Sequence, residues 1–330
     1  MQIDTPDGPV NATVPQIVSA SRATDIPAFH SDWFFYRLAE GYCVRYNPFS
    51  GKKSYISFEK IKAVVFWTKN PAPMLDRVAE LDRFGFCYYF QFTLNDYERE
   101  RFEPNVPPLE NRIETFRRLS REIGPERMVW RFDPIILSAE LSGDTVLSRI
   151  KRIGNALAGY TQKLIISFAD IEIYPKVRNN LQSLSTTCRE PTGTEMTDMA
   201  GQIGDAARDW GITVASCCAS TDLTRFGIER SRCVDPDLLL RLCRDETLYG
   251  FLTGFSGSRD LLGESCLNYR ALKDKGQRKS CGCVWSKDVG QYNTCPHYCV
   301  YCYANRSKTT VERNAASFSA TSEAILAENR

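Results

Sequence analysis

Runs of apolar, β-branched or aromatic residues of strand length recur at Gln16–Ser21, Ala63–Trp67, Cys87–Thr93, Met128–Asp133, Lys163–Ala169 and Thr213–Cys218. Between them the apolar positions change to helical spacing. A helix from about Asp32 to Glu40 follows the first run. Leu75, Val78 and Leu81 follow the second, after Asn70 as cap and Pro71 as first helical residue. Leu109, Ile113, Phe116, Leu119 and Ile123 make one stripe after the third, and Val146, Ile150, Ile153 and Leu157 one after the fourth. Met199, Ile203, Ala206 and Trp210 follow the fifth, and Asp235-Pro236 opens a sixth helix carrying Leu238, Leu239 and Leu242. Strand-then-helix alternation of this kind predicts an α/β fold with a parallel sheet and helices outside it.

Each run ends in polar residues: Ser19, Ser21, Arg22 and Asp25; Thr68, Lys69 and Asn70; Gln91, Thr93 and Asn95; Arg131 and Asp133; Ser167 and Asp170. Gln91 and Thr93 share a face, as do Arg131 and Asp133, because side chains alternate along a strand. Polar groups gathered at the C-terminal rim favour a partial TIM-like βα barrel of about six units over an open doubly wound sheet. The alternation stops near Leu262. The expected organisation is a barrel over residues 1–262, a cysteine-rich segment packed on it over 263–305, and a mobile Ser-, Thr- and Ala-rich tail over 306–330, with a short terminal helix at most.

Composition narrows the partners. The chain of 330 residues has a net charge of +2, which gives no broad reason to bind nucleic acid or anionic membrane. Only the basic stretch Lys273–Lys279 could touch phosphate, and such a run usually reads as a solvated loop. No stretch approaches the roughly 20 apolar residues that span a bilayer, and Met1–Asp7 has neither the basic start nor the apolar run of an export signal. A cytoplasmic protein acting on a small molecule is expected.

Familiar catalytic devices are missing. There is no Gly-x-Gly-x-x-Gly after a strand, no His-Glu-x-x-His and no Gly-x-Ser-x-Gly elbow. The chain holds two histidines, His30 and His297, so histidine triads and triple-histidine metal sites are nearly excluded. Thirteen cysteines remain, and in a reducing compartment a cluster of them points to metal rather than to disulfides. Six are scattered and read as small apolar filler: Cys43, Cys87, Cys188, Cys217, Cys243 and Cys266. The others concentrate in Ser280-Cys281-Gly282-Cys283 and Thr294-Cys295-Pro296-His297-Tyr298-Cys299-Val300-Tyr301-Cys302-Tyr303-Ala304-Asn305. Five soft ligands here suit zinc or iron–sulfur. Cys218 and Cys233 add two more, so that Cys218, Cys233, Cys281 and Cys283 would form a second iron–sulfur or zinc site.

The spacing Cys-x3-Cys-x-aromatic-Cys at Cys295, Cys299, Tyr301 and Cys302 resembles the signature of radical S-adenosylmethionine enzymes. The resemblance implies a [4Fe–4S] cluster on the three thiolates, with one iron chelating the amino and carboxylate groups of S-adenosylmethionine and Tyr301 near the adenine. It also implies a partial barrel, a 5′-deoxyadenosyl radical made on reduction, and an electron donor such as a flavodoxin or ferredoxin. The whole chain resembles more closely a prokaryotic family known only as a domain of unknown function. The landmarks are Ser19–Pro27, Val65–Pro71, Tyr89–Thr93, Trp130–Pro134 and Cys281–Asn305. That likeness implies an Fe–S protein and gives no reaction.

Two features depart from the radical-enzyme pattern. The cysteine motif follows the sixth unit rather than the first strand, so a circular permutant is implied if the barrel closes. The Gly-Gly-Glu-type segment has no counterpart, and Ser21, Arg22 and Asp25 stand where a replacement would be. Arg22, Asp25, Lys69, Gln91, Arg131 and Asp133 are the rim candidates for cofactor or substrate, although Arg131 and Asp133 equally suit a structural ion pair. An Fe–S redox relay or sensor, and a non-enzymatic barrel with structural zinc, are the alternatives.

Overall fold

The computed structural model describes residues 1–184, 186–219, 221–254 and 267–326. Cys266 and the expected boundary near residue 262 lie outside them.

The main sheet has eight strands, all paired in parallel. In chain order they are β1 (Ile17–Ala20), β2 (Ala63–Thr68), β3 (Cys87–Thr93), β4 (Met128–Ile135), β5 (Lys163–Phe168), β6 (Thr213–Ser216), β7 (Ile228–Arg230) and β8 (Lys287–Asp288). Strands β1 to β7 lie side by side in that order, and β8 adds outside β1. Among the described residues no pairing joins β7 to β8, so hydrogen bonding does not close the sheet into a barrel. All six expected strands are present. The two unforeseen ones have three and two residues, too short to show a period.

Alternation assigns the two faces. Val18, Val64, Phe66, Tyr88, Phe90, Phe92, Trp130, Phe132 and Ile166 point to a large core. It is covered by helices α2 (Ser31–Glu40), α3 (Leu109–Ile123), α4 (Gly143–Leu157) and α6 (Gly193–Trp210), counting Ile26–Phe29 as α1 and Pro175–Gln182 as α5. The stripes of α3 and α4 are buried as their spacing predicts. In α6 the inward residue is Ala207 rather than Ala206. The stretch Ala72–Phe84, expected as an α-helix, is 3-10 throughout. Its apolar residues repeat every third position, and three residues per turn keep Leu75, Val78 and Leu81 in line.

The opposite face divides into two halves. Ile17, Ala63, Val65, Tyr89, Val129 and Ile165 form an apolar floor. Over it pack α7 (Pro236–Leu242) and α8 (Glu246–Thr253), through Leu238, Leu239, Leu248 and Leu252, together with Cys283 and Val284. Toward the C-terminal strand ends the same face turns polar, with Ser19, Trp67, Gln91 and Arg131 next along their strands.

A smaller four-stranded sheet is built from Gln2–Thr5, Gly8–Thr13, Tyr42–Tyr46 and Lys53–Ser57. The tail expected to be mobile is docked against it. After helix Lys308–Ala316, the backbone NH of Val44 donates to Glu323 O at 2.8 Å, Trp33 donates to Ser322 O at 2.9 Å, and Ile325 is buried.

Candidate metal and cofactor site

The segment after β8 is held at the C-terminal end of the sheet by contacts with the segments that follow β1, β2 and β3. Asp288 anchors it. Ser21 Oγ donates to Asp288 Oδ1 at 2.6 Å, and the Arg22 and Gly290 backbone NH groups donate to the same carboxylate at 2.8 and 2.9 Å. Ser21 also accepts from the Ala23 NH, so its hydroxyl ties the turn after β1 to this segment. Gly290 passes so close to Ser21 that a Cβ there would overlap the hydroxyl.

Beyond it, Asn293 (φ +62°) and Tyr298 (φ +53°) turn the chain in the left-handed region. They bracket Cys295, and Cys299 follows. Cys295, Cys299 and Cys302 are half-buried and near enough to influence one another electrostatically. Burial raises the Cys295 thiol to about 12, and Asp25 and Cys302 push the same way; Cys299 is raised further, again chiefly by burial. Backbone grips fix the loop: Asn305 donates to Cys295 O at 2.7 Å, Cys302 NH to Cys299 O at 3.0 Å, and Val300 NH to Phe102 O at 2.9 Å.

Two polar knots lie beneath. In the first, Asp25 caps α1 through Ala28 NH at 3.0 Å, accepts from Lys69 NH at 2.7 Å and pairs with His297 Nε2 at 2.8 Å. In the second, Lys69 Nζ reaches Glu103 at 2.8 Å and the Tyr301 hydroxyl at 2.9 Å, and Tyr301 donates to Glu103. Asn95 donates to Glu103 at 3.0 Å, to Tyr301 at 3.1 Å and to Asp133 O at 2.9 Å. Burial alone would raise the Glu103 carboxyl, but Lys69 and Arg112 outweigh it and hold the group at about 2. Burial likewise opposes the Lys69 charge, and Glu103 and Cys299 more than restore it. Tyr301 is thus tied to the rim by its hydroxyl. Glu103 and His297 escape sequence reasoning because their partners, Lys69 and Asp25, are distant in the chain.

Arg131, Gln91 and Asp133 form a third group on the inner face. Arg131 pairs with Asp133, donates to Gln91 Oε1 at 3.2 Å and donates to Cys233 Sγ at 2.7 Å. Gln91 and Tyr89 both donate to Cys233 O, at 2.9 and 2.5 Å. Arg22 stacks over Trp67 with its guanidinium carbon 4.8 Å from the ring centre. Its Nη2 is buried without a hydrogen-bond partner.

Three cysteines read as filler have sulfur neighbours. Cys87 and Cys243 are joined by a disulfide, their Cα atoms 5.6 Å apart; a pair 156 residues apart has no spacing signal. Cys217 lies 3.9 Å, sulfur to sulfur, from both Cys218 and Cys233. Cys43 is fully buried, as filler should be. Among the described residues no three cysteine, histidine or carboxylate side chains are gathered at ready-made ion-binding spacing, and no helix is long and apolar enough to cross a membrane.

A family profile described as "Domain of unknown function (DUF1848)" matches residues 17–304. The chain belongs to this family. The match starts at β1 and ends two residues past Cys302, so both the sheet and the cysteine loop fall within the family's shared sequence. No curated protein and no solved structure matches significantly.

Proposed function

We propose that this protein is a cytoplasmic iron–sulfur enzyme of the radical S-adenosylmethionine type. In this reading Cys295, Cys299 and Cys302 hold a [4Fe–4S] cluster over the C-terminal rim of a partial barrel. The observation that carries it is the loop's position. Three thiols at the signature spacing lie on one stretch that begins where β8 ends, beside β1, and reaches the segments after β1, β2 and β3 through His297, Tyr301 and Val300. The donor set fits: three soft ligands suit an iron–sulfur cluster. The pairing of β8 with β1 supports the permutant reading, since it makes the cysteine loop follow a strand that neighbours the start of the series.

When bound, the cluster and cofactor supply one-electron reductive cleavage of S-adenosylmethionine and a 5′-deoxyadenosyl radical, with electrons from a flavodoxin- or ferredoxin-like donor. The chain's own residues orient and exclude. The Lys69–Glu103–Tyr301 knot fixes the floor under Cys299 and carries a buried positive charge beside that thiolate. Arg22, with one buried NH unpaired, is the rim group best placed to take a carboxylate. Arg131 and Asp133, paired with each other, shape the small-molecule site.

The test is to reduce the anaerobic protein and record EPR with and without S-adenosylmethionine, assaying for 5′-deoxyadenosine. A changed cluster spectrum and product formation are expected. An unchanged spectrum with no product would replace the radical enzyme by a redox relay.

A further inference from the structure

Away from the Cys295 loop, a second group of thiols comes together from three separate stretches of chain. Cys217 and Cys218 follow β6, Cys233 precedes α7, and Cys281 and Cys283 precede β8. Cys217 lies 3.9 Å, sulfur to sulfur, from both Cys233 and Cys218. Cys283 is held against the Cys233 backbone, and Cys281 is near enough to Cys218 and Cys283 to influence them electrostatically. A tetrahedral metal with bonds of about 2.3 Å sets its sulfurs roughly 3.8 Å apart, which is the separation the two measured pairs show.

Hydrogen-bond donors point at two of the sulfurs. Cys283 Sγ accepts from the backbone NH of Cys233 at 3.2 Å and of Val234 at 3.4 Å. Arg131 points a buried guanidinium NH at Cys233 Sγ, at 2.7 Å. Hydrogen bonds of this kind to sulfur stabilise and tune metal–thiolate centres. Two further arginines are near enough to act on these sulfurs electrostatically: Arg22 on Cys283 and Cys233, and Arg278, paired with Asp170, on Cys218. Cys218 holds a left-handed backbone (φ +55°). The backbone there is turned so that successive cysteines both join the group. A Cβ at Gly282 would meet Arg232 and Ser231, so the chain between Cys281 and Cys283 runs close to the segment that leads into Cys233.

We propose that this five-thiol group binds a metal centre through thiolates, with Cys233 and Cys283 at its core and Cys217 among its ligands. The ligand class is a thiophilic metal, either an iron–sulfur cluster or zinc. This centre is separate from the one proposed on Cys295, Cys299 and Cys302 and does not depend on it.

The experiment removes the first site and asks what stays. In the full chain carrying Cys295→Ser, Cys299→Ser and Cys302→Ser, purified anaerobically, near-stoichiometric metal is expected to remain, as iron with acid-labile sulfide or as zinc; either supports the centre and tells which it is. Adding Cys233→Ser and Cys283→Ser is expected to cut that metal at least tenfold. Should the fivefold variant not fold, X-ray absorption at the metal edge of the triple variant decides. A first shell of sulfur supports the thiol site, and one of nitrogen and oxygen overturns it. A wild type that holds iron and a triple variant that holds no metal overturns this inference alone. A triple variant with all the wild-type iron overturns the Cys295 site and leaves this one standing.

Discussion

Glu103 shows how much of the rim rests on single charges. Its carboxylate is buried and answers both Lys69 and Arg112. Glu103→Gln leaves two cations without a counter-charge, which should destabilise the fold by about 3–5 kcal/mol. Urea unfolding at neutral pH reads this directly, and adding Lys69→Met should return part of the loss. Because the folded carboxyl is held at about 2, its contribution is complete above the ordinary carboxyl range and is lost as pH falls through 2. His30 works in a different window. Burial keeps it neutral and lowers it from 6.5 to about 4 while Nε2 donates to Thr294 O at 3.1 Å. The unfolded chain therefore takes up a proton first. Stability should be full above pH 6.5 and fall by roughly 3 kcal/mol as pH drops to 4. In His30→Gln, which can still donate to Thr294, that part of the pH–stability curve should flatten.

At the scale of elements, the decisive contact is between the turn after β1 and the turn after β8. Gly290→Ala forces a methyl against Ser21. It should lower the melting temperature and the bound iron together, whereas Gly193→Ala, with open space around it, should change neither. Six strands and the stripes of α3 and α4 were legible in the sequence because their alternation is long enough to have a period. Strands β7 and β8 were not, since two or three residues carry none, and the 3-10 geometry of Ala72–Phe84 was hidden in a spacing of three that an α-helix nearly shares. The candidate site was legible to the same degree. Cys295, Cys299 and Cys302 announce themselves by local spacing. Cys217 joining Cys233, Glu103 reaching Lys69, and Cys87 meeting Cys243 are contacts across the fold, which local pattern does not encode. Ser21 was placed on the rim by sequence, but only the geometry shows its hydroxyl tied to Asp288.

For the whole molecule, the parallel sheet supplies a floor that is apolar at one end and polar at the other, and the last fifty residues bring cysteines to the polar end. The tail then returns to the small sheet and pins the N-terminal region through Glu323 and Ile325. The membership of residues 17–304 in one family agrees with a sheet and cysteine loop that work as a unit. The most direct measurement is iron, sulfide and visible absorption of anaerobically purified wild type against the Cys295→Ser, Cys299→Ser, Cys302→Ser variant. A loss of about four irons with matching sulfide and charge-transfer absorption is expected in the variant. Stoichiometric zinc without iron in the wild type, or iron unchanged in the variant, would contradict a cluster on these three cysteines.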